Sequence, residues 1–504
     1  MATETRLGGD LPVVDAETAA AGIGTEDTLL TSGFGRAGYP KALPLALAAS
    51  DREFSLTVVS GGSVGDEIDT TLVEAGAVAR RYPYQATASA RDAVNDGSVA
   101  FHDRHISRLG DEVALGYLGG RNRENTEDGV GSGNGDGTRG ETVAVVEAVA
   151  VGAGWLVPTT SVGHTPSYVQ AADRIVVELN RTQPVELEAL HDVYNRALPP
   201  NRGTIPLSTP GGRIGSPRVP FDPDKLEAVV ETDRPDSPYE FRTPTAVDDG
   251  IAENLAGFLA GELDRNPVFA DAVNLQFGVG SLGNALMSSF ADVAFGDRDV
   301  AYFGEVIQDG LLDMLDDGVL DSASAASLAL SAEGQERLFG DIERYAEQVV
   351  VRNADVSNSP ALIDRFGVLA VNSALEVDVY GNANSTHLSG THVANGIGGS
   401  GDFSRHSALG VLALGSTARD GAISRVVPMV PHVDHTEHDL DVVVTEQGVA
   451  DLRGLAPRER ARELVEQCAH PDYRGPLEAY LDRANEGGGH IPHDLEEAAA
   501  WYTR

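Results

Sequence analysis

Short β-rich runs, each followed by a helix-like segment, recur along the chain from about residue 25 to residue 200. "TLLTSGFG" leads into "YPKALPLALAAS", and "EFSLTVVSGG" leads into "DEIDTTLVEAG". "AVVEAVAVG", "WLVPTTSVG" and "DRIVVELN" continue the series. Strand followed by helix, repeated, predicts an α/β domain built on a largely parallel sheet. A proline- and turn-rich stretch spans 198 to 248 and predicts a crossover between two halves. A helix over "AVDDGIAENLAGFLAGELD" opens the second half, and the alternation resumes through "LQFGVGSLGNALMSSF", "VAYFGEVIQDGLLDML" and "FGVLAVNSALEVDVYG". The expected organisation is two α/β domains, 1–225 and 226–504. The stretch 120–140, rich in Gly, Asp and Asn with no apolar period, reads as a surface insertion.

Composition changes this picture in one respect. Seventy-seven acidic residues against 37 basic ones give a formal net charge of -40, and only Lys41 and Lys225 are lysines. Such a surface repels nucleic acid and anionic membranes, so neither is expected as a partner. Adaptation to high salt explains the charge, because screening makes self-repulsion tolerable. The one cysteine, Cys468, excludes an intrachain disulfide. The sequence shows neither an apolar run long enough to span a bilayer nor an export signal, and a cytoplasmic protein is expected.

Several motifs carry chemistry. In "AYFGEVIQDGLLDML" a strand-like run delivers Glu305 where a helix is expected to begin. An acid there suits a helix N-terminus, and it equally suits a nucleophile at a strand end. "FGVGSLGNALM" places a glycine-rich turn between strand and helix, where backbone N–H groups face an anion or a developing oxyanion. "NGIGGSGDFSRHS" contains G-x-G-G-x-G, but the turn-rich segment before it does not supply the buried strand a dinucleotide motif needs. "DVVVTEQG" reads as a buried strand ending in a second carboxylate, Glu446. "SNSP" offers Asn358, either a double hydrogen-bond donor or an Asx turn before Pro360. His432, His435 and His438 stand three apart among acids, yet that spacing drifts around a helix and matches no zinc motif.

Taken together, "SGFGRAGYPKALPLAL", "GVGSLGNAL", "EVIQDGLLDML", "SNSP", "ALEVDVYGNANSTH", "GIGGSGDF" and "VVPMVPHVDHTEHDLDVVVTEQGVADLRGLAPRERARELVEQCAHPDYRGPLEAYL" resemble the acetyl-CoA hydrolase/transferase family, in particular its succinate CoA-transferase branch. The resemblance is colinear over nearly the whole chain. It implies two similar CoA-transferase-type α/β domains with the active site in the cleft between them. It implies Glu305 as nucleophile, with the Val279 backbone N–H and the Asn358 side chain stabilising an oxyanion. Glu446 matches an active-site carboxylate. Gly278, Val279, Gly280, Ser281 and Leu282 are expected to face coenzyme A, with Gly399 lining the acid and CoA pocket and Asn395 and Arg419 as further CoA contacts. The implied substrates are acyl-CoA and short-chain carboxylates, with coenzyme A as substrate and product rather than a tightly bound cofactor. No metal and a homodimer are expected. A hydrolase using the same glutamate is the alternative. An arginine that reads a second substrate carboxylate is placed at Arg234 in "TDRPDSP".

Overall fold

The computed structural model describes residues 6–118, 140–237, 243–291 and 293–503; the insertion expected at 120–140 lies, except for Gly140, outside them. The chain forms two compact units that are interleaved rather than consecutive. One comprises Met1–Tyr239, Gly304–Asp309 and Ser322–Ser359; the other comprises Glu240–Phe303, Gly310–Asp321 and Pro360–Arg504. The boundary read from composition, at 225/226, is contiguous. The units cross it because segments around Glu305 and Asn358 pack with the N-terminal half.

The first unit is organised by a parallel sheet ordered Val13–Val14, Leu226–Thr232, Arg174–Asn180, Thr142–Gly152, Thr28–Thr31, Leu56–Ser60, Val78–Tyr82 and Ala100–Phe101. Thr142–Gly152 lies at its centre and is buried at all 11 positions. A near-continuous apolar run is what a parallel strand covered on both faces requires. Helix Ala16–Gly22 contributes Ala19 and Ala20, and helix Ala42–Ala48 contributes Leu43 and Leu47, to a core shared with Leu56 and Val58 of the sheet.

The exception in the central strand is Glu147, fully buried and bonded to Lys41 Nζ at 2.6 Å. Lys41 Nζ also reaches Asp236 at 2.8 Å and donates to Tyr39 O at 2.8 Å. Burial by itself would depress the Lys41 ammonium, but Asp236 and Glu147 reverse the direction and hold it charged. Asp236 in turn accepts from Thr160 Oγ1 at 2.7 Å and Gln183 Nε2 at 3.0 Å. The network ties the "SGFGRAGYPK" segment to the sheet, with Gly38 N donating to Asp236 at 3.2 Å and Lys41 N to Glu178 Oε2 at 2.8 Å.

The second unit contains a sheet ordered Asp299–Phe303, Ala272–Phe277, Leu369–Ser373, Leu409–Ala413, Val442–Thr445 and Gly448–Asp451. The first five strands are parallel and the last is antiparallel. Its long helix, Ala246–Arg265, starts in a capping box between Thr245 and Asp248. Val443, Leu464, Val465, Leu477 and Tyr480 belong to the core beneath its C-terminal helices. No helix among the described residues is long and apolar enough to cross a membrane.

Candidate active site

Glu305 follows the strand Asp299–Phe303 but does not open a helix. A two-residue strand, Val306–Ile307, intervenes, pairs in parallel with Ser327–Leu328, and postpones the helix to Asp309–Asp316. The Glu305 carbonyl accepts from Ala326 N at 2.9 Å and Ser327 N at 3.2 Å. Its position is therefore set by backbone pairing, and the side chain is left half-buried. The helix-start expectation fails because a local apolar period cannot reveal a partner strand twenty residues downstream.

Asn358 caps the short helix Ala354–Ser357 and is fully buried. Its Nδ2 donates to Glu305 Oε1 at 2.8 Å. The side chain thus faces the carboxylate rather than folding back as an Asx turn before Pro360. A buried amide donor on a carboxylate fixes that carboxylate's direction, and the same N–H can serve an oxygen replacing it.

The remaining predicted residues, Arg234 excepted, belong to the second unit. Gly278 N donates to Val371 O at 3.0 Å where the strand Ala272–Phe277 ends, and the helix Ser281–Ala291 begins three residues later. Gly278, Val279 and Gly280 form the turn, with Gly280 at φ +146° and the Val279 side chain 40% exposed. Gly280 is required there, because L side chains rarely adopt that φ. Ser281 and Leu282 are the first residues of the helix. Beneath the turn, Gln276 and Asn372 exchange amide hydrogen bonds of 3.4 and 3.2 Å.

Glu446 ends the strand Val442–Thr445 as expected. Its carboxylate accepts from Ser416 N at 2.8 Å, from the Ser416 hydroxyl, and from Gln447 Nε2 at 3.0 Å. Burial pushes Glu446 upward, but the Ser416 and Gln447 donors overcome it and hold the carboxyl below its usual range. Ser416 and Gln447 had no sequence signal of their own. Gly278, Ser416 and Glu446 each follow the C-terminal end of a parallel strand of this sheet, the edge at which open α/β sheets bind ligands.

Gly399 is the residue before the helix Ser400–His406. Asn395, half-buried, has an Oδ1 atom without a hydrogen-bond partner among the described residues. Arg419 stands on the exposed tip of the hairpin Thr417–Ala418/Ile423–Ser424 at φ +51°. The three histidines diverge. His432 pairs with Asp434 at 3.1 Å, His435 is buried with Nε2 3.3 Å from Ser400 Oγ, and His438 is 82% exposed beside Glu437. Among the described residues no group of three or more His, Cys, Asp or Glu side chains is placed to hold a metal ion. Arg234 is exposed, and its carbonyl accepts from Asn180 Nδ2 at 2.8 Å.

Comparison with known proteins bears on this arrangement. Residues 12–231 match the acetyl-CoA hydrolase/transferase N-terminal domain and residues 334–481 match the C-terminal domain of the same family. The chain is similar to a succinyl-CoA:acetate CoA-transferase of Clostridium kluyveri, 39% identical over 98% of this chain and 88% of that protein. It is 37% identical to a propanoyl-CoA:succinate CoA transferase of Escherichia coli, over 95% of this chain and 94% of that one. An acetyl-CoA hydrolase of Eremothecium gossypii is 38% identical, over 94% and 90% respectively. RipA from Yersinia pestis shares the fold at a TM-score of 0.68 and 20% identity, covering 94% of this chain and 97% of that one. A 4-hydroxybutyrate CoA-transferase from Porphyromonas gingivalis does so at 0.59 and 20%, with the same coverage. With both family domains matched in order and full-length relatives well above 30% identity, the chain belongs to the acetyl-CoA hydrolase/transferase family of enzymes.

Proposed function

We propose that the protein is a CoA-transferase that moves coenzyme A between short-chain carboxylic acids, succinate paired with acetate or propionate. The observation that carries this reading is the Asn358 amide set on the Glu305 carboxylate at 2.8 Å. A carboxylate is nucleophilic without a base to deprotonate it. Glu305 attacks the thioester carbonyl, the C–S bond breaks, and CoA leaves as thiolate from an acyl-glutamyl anhydride. The thiolate then attacks the glutamyl carbonyl and expels the first acid as carboxylate, leaving a glutamyl-CoA thioester. A second carboxylate enters and the two steps reverse.

Each step passes through a tetrahedral oxyanion, for which Asn358 Nδ2 and the Val279 N–H are the proposed donors. Glu446, ionised and held by Ser416 and Gln447, orients the incoming acid or the nucleophile. The Gly278–Leu282 turn, Asn395, Gly399 and Arg419 are assigned to CoA, whose phosphates need a cation or backbone N–H groups in so acidic a protein. The protein is proposed to act as a cytoplasmic homodimer. A hydrolase is the second reading, favoured by the acetyl-CoA hydrolase at 38% identity, and differs only in water taking the acid's place.

The test is performed in concentrated potassium chloride with succinyl-CoA, following acetyl-CoA formation with acetate and thiol release without it. Acetate-dependent transfer, abolished in Glu305→Ala, is the expected result. Thiol release without acetate, lost in the same variant, identifies a hydrolase. Full activity in Glu305→Ala overturns the mechanism.

A further inference from the structure

The loop that grips Glu446 is itself held by a charged side chain that the mechanism above does not use. Arg425 lies in the second unit, between the strand Ile423–Ser424 and the strand Val426–Val427, which pairs with Glu376–Asp378. Its Nε donates to Leu375 O at 2.6 Å and its Nη2 to Ala374 O. Both carbonyls belong to the loop after the strand Leu369–Ser373. The Arg425 backbone N–H donates to Ser416 O at 2.9 Å, and Ser416 follows the neighbouring strand Leu409–Ala413. Arg425 thus joins two adjacent loops at the ligand edge of this sheet, one of them the loop whose serine donates twice to Glu446.

These bonds leave part of the guanidinium unused. Nη1 has no hydrogen-bond partner among the described residues, and none of their carboxylates stands within ion-pair distance of Arg425. A Cβ added to Gly415 would lie 3.5 Å from Nη1, so this third nitrogen faces the loop that presents Ser416. Other arginines of the unit end differently. Arg453 pairs with Glu262 and Asp451, and Arg298 places all three side-chain nitrogens on carbonyls.

Burying a cation without an ion pair is costly, so charge at longer range has to offset it. Burial draws Arg425 below its usual range, and Glu446, ahead of Glu376, works against that shift. Glu376 already accepts from Asn384 Nδ2 at 2.7 Å and from Tyr502 OH at 3.2 Å. Glu446 is the carboxylate at the ligand edge. There an ionised group raises a difficulty, because the acid that enters is also an anion. Two carboxylates sharing a site drive one of them to take up a proton. Ser416 and Gln447 donate to Glu446 but bring no positive charge.

We propose that Arg425 is a positioning residue acting through Glu446, the fixed countercharge that keeps Glu446 ionised while a substrate carboxylate enters. The assignment rests on Glu446 orienting the incoming acid, as in the transferase reading above.

The test measures kcat/KM for acetate with succinyl-CoA as donor. It compares wild type, Arg425→Gln, Arg425→Lys, Glu446→Gln and the double variant Arg425→Gln with Glu446→Gln. Lysine keeps the charge and gives up the planar fork that reaches both carbonyls, whereas glutamine gives up the charge. Arg425→Gln is expected to lose about ten- to hundredfold, and Arg425→Lys less than about fivefold. With Glu446 already neutral, Arg425→Gln is expected to cost less than about threefold more, since its charge has no partner left. Arg425→Met supplies the neutral arm if the glutamine variant does not fold. Equal losses in the lysine and neutral variants would make Arg425 a staple of the two loops and overturn the proposal. So would the same loss with and without Glu446, or no loss at all. If Glu446→Gln transfers at the wild-type rate, the reading of Glu446 falls and this assignment with it. A wild type that transfers no CoA to acetate defeats the transferase reading as well.

Discussion

Glu305 and Glu446 have the same sequence signature, an apolar strand ending in a lone carboxylate, but different surroundings. Glu446 is gripped by donors from its own neighbourhood, a backbone N–H and hydroxyl from Ser416 and the adjacent Gln447 amide. Glu305 is placed through its backbone, by Ala326 and Ser327, with the Asn358 amide directed at one carboxylate oxygen. One arrangement stabilises a fixed anion. The other positions the anion that the proposed mechanism uses as its nucleophile. Catalytic groups gain from fixed donors that match the developing charge rather than the resting one, so the two glutamates are suited to different tasks.

The sharpest way to break this comparison is to neutralise each in turn. Glu305→Gln is expected to lower transfer on the order of 10⁴-fold or more, as loss of a covalent nucleophile does. Glu446→Gln, which leaves a side chain able to accept from Ser416, is expected to cost on the order of a hundredfold through misplacement. Steady-state rates with succinyl-CoA and acetate decide it, and equal losses would abolish the distinction. Asn358→Ala comes next, with an expected loss of roughly 10² to 10³ in kcat. A change confined to KM would make Asn358 a ground-state contact instead.

The third prediction concerns acid sensitivity of the unit that holds Glu305. Burial pushes His191 down to about 4, with Nε2 3.0 Å from Thr159 O. Between pH 6.5 and 4 the unfolded chain binds a proton that the fold excludes, so stability falls as pH falls. The full effect is on the order of 3 kcal/mol for this residue. His191→Gln keeps an N–H donor and cannot titrate. The stability difference between wild type and variant, from denaturant titrations, should therefore shift against wild type by that amount across the window. A constant difference would mean that His191 protonates freely in the fold.

Smaller effects test the grip on Glu446. Ser416→Ala removes its hydroxyl donor but not the backbone N–H, so a loss of about 1 to 2 kcal/mol in stability is expected. An accompanying rate loss smaller than that of Glu446→Gln would support the holding role. Least of all, Gly250→Ala in the helix Ala246–Arg265 would ordinarily stabilise by roughly 0.5–1 kcal/mol. Here the new Cβ would lie 3.1 Å from Glu446 Cβ. Little or no gain in thermal stability is expected, and the full gain would show that Glu446 yields without cost.

The sequence alone determined the α/β class, because strand and helix periods are local and the turn residues between them are explicit. It marked both strand-end glutamates, the glycine turn at 278–280 and Asn358, of which Asn358 and Glu446 lie within the matched C-terminal family domain. It did not reveal that Val306–Ile307 pairs with Ser327–Leu328, which is why Glu305 was expected at a helix start. Nor did it show that Asn358 faces Glu305 across an interval of 53 residues. The role of Lys41 was legible only as a compositional oddity, one of two lysines in the chain. Its partners Glu147 and Asp236 sit in an apolar strand and a turn-rich linker, where nothing local distinguishes them. Likewise the histidine triplet was a cluster in sequence and three divergent side chains in space. Periodicity records which face of an element is apolar. Which polar groups meet inside depends on long-range packing, and only the tertiary structure decided that.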